Sequence, residues 1–457
     1  MRQLLRTVQW LRVAVTYSAA LATCGAMLAG GCAEHTDNSE STENSNNTQT
    51  TKPSKSTGNS KSTGNTTDSA RPADEDRGVP NLEIRDGEYV TPTGTEDLAK
   101  LPRGTVLATS SGTASKILNT ANRFDFLYTT LDHTNTAVAV SGTLLLPSGT
   151  PPTQGWPLVS WAHGTTGVAD VCTPSMTENL FYNEYAQVAR AFLTAGYAVV
   201  ATDYLGLGTA GIHSYSIGED LGNAVADSVP AAHQLSDQLS PEWFGVGHSE
   251  GGQAVLFATR AAAKNPDFPL RATVAMAPSS NLQLAFPSIA SGGLPADLVY
   301  GTYLLAGLSR VDPTLRPEDF LGPSALKEKD LLFESGCLLD GLEAFNGLAA
   351  SDILAIPEEK IASLSELLAK VGNAHLEPTL GPLLVVQGET DHDIPAGVTA
   401  LLVDQLTALG VDVTYREYPG LDHDRVLGPS LCETLEWLTT HGGPPAPNCV
   451  AEPTDMS

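Results

Sequence analysis

The sequence predicts an α/β fold, in which a mostly parallel central sheet is flanked by helices and interrupted by an inserted helical segment. Short apolar runs alternate with stretches long enough for helices, the pattern of strands joined by crossover helices. One interval, Pro278 to Gly381, carries helical rather than strand periodicity. The chain of 457 residues, 41% hydrophobic and 17% charged, can bury a large core.

In chain order, residues 1–32 read as a leader. Arg2, Arg6 and Arg12 form a basic start, and the apolar run Val13 to Leu28 suits a signal segment better than a membrane span. It ends Leu28-Ala29-Gly30-Gly31-Cys32, which looks like a bacterial lipoprotein box in which Cys32 would be acylated, although Ala29 stands where a leucine is usual. Residues 33–80 are rich in Ser, Thr, Asn and Gly, and Ser54-Lys55-Ser56-Thr57-Gly58-Asn59 repeats at once as Ser60 to Asn65. So little apolar surface cannot offset the entropy of ordering, and the segment is expected to be a flexible tether between a membrane-anchored Cys32 and the folded body.

The body is expected at residues 81–278 and 382–457. Phe124 to Leu131 and Val138 to Leu146 read as a hairpin through Asp132-His133-Thr134-Asn135. Strands follow at Leu158 to Trp161, Ala198 to Thr202, Phe244 to Gly247, Ala272 to Ala277, Leu383 to Gln387 and Val413 to Tyr418. Between the fourth and fifth of these, residues 279–381 are too many for an ordinary connection. Pro357-Glu358-Glu359 opens a helix there, with Ile361, Leu364, Leu368 and Val371 at helical spacing. The interval is therefore read as a helical cap.

Charge narrows the partners. With 25 Lys+Arg against 52 Asp+Glu the formal net charge is −27. Nucleic acid is excluded as a partner, because its binding needs clustered cations to displace phosphate counterions. A neutral or apolar ligand meets no such repulsion.

The chemistry centres on Gly247-His248-Ser249-Glu250-Gly251. A strand before it and the helix-forming Gly252 to Ala258 after it make this a nucleophile elbow, whose sharp turn tolerates only small residues around the serine. A serine hydroxyl attacks only if a histidine accepts its proton and a carboxylate orients that histidine. In the α/β-hydrolase fold these follow in the order serine, acid, histidine, on loops after later strands. Asp391, in Gly388-Glu389-Thr390-Asp391-His392-Asp393, and His423, in Gly420-Leu421-Asp422-His423, occupy those places. Asp393 is the rival acid, and Asp422 and Asp424 read as solvated loop charges. His213 and His233 are expected on the surface.

Acyl transfer also needs donors for the oxyanion. One is the backbone N–H of Glu250; the other is assigned to Thr165 N–H, in Ala162-His163-Gly164-Thr165-Thr166-Gly167 after an early strand. The His163 side chain is read as holding that loop. Gly206-x-Gly208 lacks the rest of a nucleotide-binding loop and reads as a turn.

Taken together, Ala162 to Gly167, Cys172-Thr173-Pro174-Ser175, Asp203-Tyr204-x-Gly206-x-Gly208 and Gly247 to Gly252 resemble the secreted lipase family of α/β-hydrolases found in fungi and bacteria, over roughly Leu101 to Cys449. The resemblance implies an esterase or lipase with a helical lid between the sixth and seventh core strands, and carries the triad roles onto Ser249, Asp391 and His423. Fungal members carry an acidic residue near the first oxyanion position, where this chain has Thr165-Thr166.

With Cys24 in the leader and Cys32 a lipidation site, Cys172, Cys337, Cys432 and Cys449 remain, and an exported chain could pair them in three ways. Cys432 with Cys449 would close a short C-terminal loop, and Cys172 with Cys337 would pin the cap to the oxyanion region. No ligand spacing points to a metal, and no cofactor is expected. The expected function is an exported, membrane-tethered serine hydrolase of neutral carboxylic esters such as acylglycerols. An acyltransferase or peptidase using the same triad, or a silent surface-binding scaffold, are the alternatives. Acyl-chain preference and oligomeric state are not legible.

Overall fold

A computed structural model describes residues 79–446, without 86, 93–96, 111, 294 and 375–380. The leader, Cys32, nearly all of the tether and Cys449 lie outside the described residues. The strands are β1 (Ile84–Arg85), β2 (Glu88–Tyr89), β3 (Val106–Thr109), β4 (Thr113–Ser115), β5 (Thr120–Leu131), β6 (Ala137–Leu146), β7 (Trp156–Ala162), β8 (Ala198–Thr202), β9 (Leu239–His248), β10 (Leu270–Met276), β11 (Leu383–Gly388) and β12 (Val413–Tyr418). The longer helices are α1 (Asn183–Thr194), α2 (Gly218–Leu235), α3 (Glu250–Ala262), α4 (Leu282–Ala290), α5 (Pro295–Val311), α6 (Glu358–Gly372), α7 (Ala396–Ala408) and α8 (Leu427–Thr440).

The large sheet runs β12-β11-β10-β9-β7-β8-β6-β5-β3, with β4 beside β5. From β8 to β12 every neighbour pair is parallel, and β6, β5 and β3 join antiparallel. This is the α/β-hydrolase arrangement. The central strands β8 and β11 are buried along their whole length, as parallel strands covered on both faces must be, hence their unbroken apolar runs. One face packs Trp243, Val255 and Leu406 in its core; the other packs Trp161, Phe192 and Leu438.

Local chemistry explains the turns. Asp132 closes the β5–β6 hairpin by accepting the N–H groups of Thr134 and Thr136 on Oδ1, both at 2.9 Å, while Asn135 takes φ 63°. The four short strands β1–β4, of two to four residues, have no counterpart in the sequence reading, because so few residues show no periodicity.

Between β10 and β11 lie α4, α5, α6 and short helices at Pro323–Lys327, Leu338–Ala344 and Ala350–Ile353. They share a separate apolar core of Phe286, Tyr303, Leu332, Phe345, Leu364 and Leu368. Burying each leucine contributes about 1.5–3 kcal/mol. A disulfide joins Cys172 to Cys337, with Cα atoms 5.5 Å apart, and Leu338 N–H donates to the Thr166 carbonyl at 2.8 Å. The helical insertion is thereby tied to the loop after β7.

Candidate active site

Strand β9 ends at His248 and α3 begins at Glu250, so Ser249 alone makes the turn. Its backbone sits at φ 58°, ψ −119°, a region costly for any residue but glycine. The surrounding ladder holds the strain: Ser249 N–H donates to the Met276 carbonyl at 2.9 Å, and its own carbonyl accepts from Gln253 and Ser279. The flanking glycines are required. A Cβ on Gly247 would lie 2.1 Å from the Gly251 carbonyl oxygen, and one on Gly251 would lie 1.9 Å from that of Ala162. Behind Ser249 stand the first amides of α3, which lack intrahelical acceptors and favour negative charge.

The turn after β11 presents Asp391, 4% exposed. Its Oδ1 accepts the N–H groups of Asp393 and Ile394 at 2.9 and 2.8 Å; its Oδ2 accepts from Gln387 Nε2 and from His423 Nδ1, both at 2.8 Å. Thr399 Oγ1 donates to Gln387 Oε1 at 2.6 Å, which turns the amide's NH2 toward the carboxylate. Asp393, the rival acid, is not the histidine's partner; its side chain lines the cavity beside Ser249.

His423 follows β12 and is buried. With Nδ1–H committed to Asp391, Nε2 is the nitrogen left for chemistry. Burial pushes its pKa down, but the bond to Asp391 and the charges of Asp391, Asp393 and Asp424 outweigh it and raise the pKa to about 9.

Further residues bind this machinery together, and sequence reading misses them. Tyr185 on α1 accepts Gly164 N–H at 2.9 Å and donates to His248 Nδ1 at 3.3 Å; His248 Nε2 donates to the His423 carbonyl at 3.1 Å. Burial above all, then the charge of His423, pushes the His248 pKa well down. A neutral ring suits one accepting and one donating nitrogen. The loop after β7, the elbow and the His423 turn are thus one hydrogen-bonded chain.

Gly164 packs against the elbow: a Cβ there would lie 3.1 Å from Ser249 Cβ. Thr165 beside it is buried, with Oγ1 3.0 Å from the Tyr215 hydroxyl. His163 Nδ1 donates to the Gly164 carbonyl at 2.7 Å, and Tyr204 donates to the His163 carbonyl at 2.9 Å. Burial lowers the His163 pKa to about 4, so this ring is neutral near pH 7. Gly206 and Gly208 take φ 76° and 67° in a turn.

The surface placement expected for His213 is wrong. It is fully buried, with Nε2 2.9 Å from Glu250 Oε1 and Nδ1 2.9 Å from the Leu205 carbonyl. His233 is half-buried against the Phe268 ring. Its loop neighbours leave no apolar stripe from which burial of His213 could be read.

Among the described residues, the ligand atoms of His248, His423 and Asp424 lie within 4.8 Å of one another. Both His248 nitrogens and His423 Nδ1 are already engaged within the protein, a poor donor set for a metal.

A cavity opens beside Ser249, walled by Leu282 and Ile289 of α4, Tyr300 and Leu304 of α5, and Val398 of α7. The insertion and the core both supply its lining. A half-buried serine at an elbow, a histidine held by a carboxylate and a cavity walled largely by apolar side chains make a set that can attack and hold a carboxylic ester.

Comparison with known proteins finds likeness to lipases and esterases. The family model described as Secretory lipase matches residues 181–444, more than half of the chain. A Mycobacterium tuberculosis protein named a probable inactive lipase is 27% identical over 336 residues, 68% of this chain and 72% of that protein. Candida antarctica lipase A in its closed state superposes with a TM-score of 0.63 at 19% identity, over 79% of this chain and 86% of that one. The rice cell wall degrading esterase LipA from Xanthomonas oryzae gives 0.60 at 18% identity, over 70% and 92%.

Proposed function

The chain belongs to the secretory lipase family, and from that premise we propose that it is a serine ester hydrolase working through an acyl-enzyme on Ser249. His423 takes the Ser249 proton as the hydroxyl attacks the ester carbonyl, and Asp391 holds the imidazole in the required tautomer. The N–H groups of Glu250 and Thr165 receive the oxyanion. The alcohol leaves with the proton from His423; water, activated by the same histidine, then releases the acid. The observation that carries this reading is the 2.8 Å bond from His423 Nδ1 to Asp391 Oδ2, on a turn bonded to His248, the neighbour of Ser249 in its strained elbow. The helical insertion, residues 279–381, is read as the cap supplying part of the pocket. The leader, acylated Cys32 and tether make the enzyme an exported, membrane-held one. Among the described residues no helix is long and apolar enough to cross a membrane.

Ser249→Ala tests the reading. It should abolish p-nitrophenyl ester hydrolysis and labelling by a fluorophosphonate; substantial turnover in that variant would refute the assignment. A silent scaffold has one point in its favour, the name of the Mycobacterium tuberculosis relative. Absence of fluorophosphonate labelling in the native protein would decide for it.

A further inference from the structure

Three helix faces meet beside Ser249. Leu282, Ala285 and Ile289 fall at i, i+3 and i+7 on α4, Tyr300 and Leu304 lie one turn apart on α5, and Val398 stands near the start of α7. The room between these walls is about 70 Å³; the wider empty space, about 630 Å³, takes in open solvent. An apolar cavity of about 150 Å³ takes up one benzene, so room of this size suits a chain of about three or four carbons.

A separate observation fixes the walls at that spacing. A Cβ on Gly301 of α5 would lie 2.8 Å from Ile289 Cγ2 and 2.6 Å from Leu354 Cδ1, and one on Gly307 would lie 2.1 Å from the Tyr215 carbonyl oxygen. Glycine thus lets α5 close onto α4 at Ile289 and onto the core at Tyr215, and both of those residues line the cavity. Tyr215, Leu282 and Leu304 also belong to the buried apolar core of the insertion, with Ile289 and Tyr300 packed against it. Widening the cavity means parting a packed core, which is costly for every methylene that does not fit.

We propose that this cavity is an acyl pocket that selects esters of short-chain acids, with butanoyl near its limit, and that Ala285 and Ile289 set the length. This deepens the ester-hydrolase reading and rests on it. Ala285 puts only a methyl group at the middle of the α4 face, which leaves the room a short chain needs. Ile289, one turn further on and seated against Gly301, closes that room. Each methylene that finds a place raises kcat/KM about fourfold, and each one beyond the wall loses that gain and strains the packing. The substrate class is then a short-chain carboxylic ester rather than a long-chain acylglycerol.

The test is the profile of kcat/KM on p-nitrophenyl acetate, butanoate, hexanoate and octanoate, which share one leaving group, at concentrations below micelle formation. Butanoate should exceed acetate about tenfold, and octanoate should fall about tenfold or more below butanoate. Ala285→Leu should lower the butanoate-to-acetate ratio about fivefold or more, and Ile289→Ala should raise the octanoate-to-butanoate ratio by about the same factor. Both side chains are half-buried, and the wild-type profile decides without either variant. A wild-type profile that is flat, or still rising at octanoate, overturns the chain-length selection and leaves the ester-hydrolase reading standing. Folded variants that leave both ratios unchanged also overturn it. If the native protein cleaves none of the four esters and takes no fluorophosphonate label, the ester-hydrolase reading itself has failed, and the acyl pocket with it.

Discussion

His213 Nε2 lies 2.9 Å from Glu250 Oε1, and both side chains are at most 1% exposed. Glu250 is also a residue proposed to give its amide to the oxyanion. His213 Nδ1 donates to the Leu205 carbonyl at 2.9 Å, which leaves Nε2 to meet Oε1. Glu250→Gln keeps the bond, with the amide donating to Nε2, and should retain kcat within about threefold. Glu250→Ala orphans a buried ring nitrogen and should cost about 3 kcal/mol or more in urea unfolding. Equal stability of the two variants would show that the bond contributes nothing.

His423 must be neutral to accept a proton, and its pKa is raised to about 9. Hydrolysis should therefore increase with pH up to and through about 9, read as kcat/KM on a soluble ester. The stability sign is opposite. A histidine whose folded pKa exceeds the ordinary 6.5 stabilises the fold in full below about 6.5, and that contribution is lost as pH rises through about 9. Asp391→Asn should cut kcat about 10⁴-fold through loss of the required tautomer. A rate profile flat from pH 6 to 9 would contradict the role of His423.

Tyr185 joins Gly164 N–H to His248 Nδ1. Tyr185→Phe removes both bonds while preserving the ring's packing against Trp161, whose centroid is 5.5 Å away. We expect kcat to fall about tenfold with KM nearly unchanged, the loss of one or two buried hydrogen bonds at about 1 kcal/mol each. A change confined to KM would place Tyr185 in substrate binding instead.

The Cys172–Cys337 disulfide closes a separation of 165 positions. Replacing both cysteines by serine should lower unfolding stability by about 2–5 kcal/mol, measured by denaturant titration without reductant. No loss would mean that the Leu338–Thr166 bond and the insertion's own core suffice.

Much of the architecture is legible because it is local. The elbow imposes glycine on neighbouring positions, so Gly247 to Gly251 reads directly from the chain, and β8 and β11 announce themselves as unbroken apolar runs. Ser249 and Asp391 each follow a strand legible from its apolar residues, and His423 follows the β-rich Val413 to Tyr418. What escapes is pairing across distance. His213 meets Glu250 over 37 positions, and Tyr185 meets His248 over 63; nothing near either residue records its partner. His213 is taken for a surface residue because the Gly/Ser-rich loop around it carries no periodicity, while its burial is set by the elbow and the Tyr204 and Tyr215 rings.

The helical insertion leaves the core after β10, returns to it at β11, and is stapled a third time at Cys337. A body pinned at three places cannot swing about a hinge unless all three lie on one line. Passage to the cavity must then come from flexing within the insertion rather than from a flap lifting away, so cutting the staple should change how fast bulky esters get in long before it changes the bond-breaking itself.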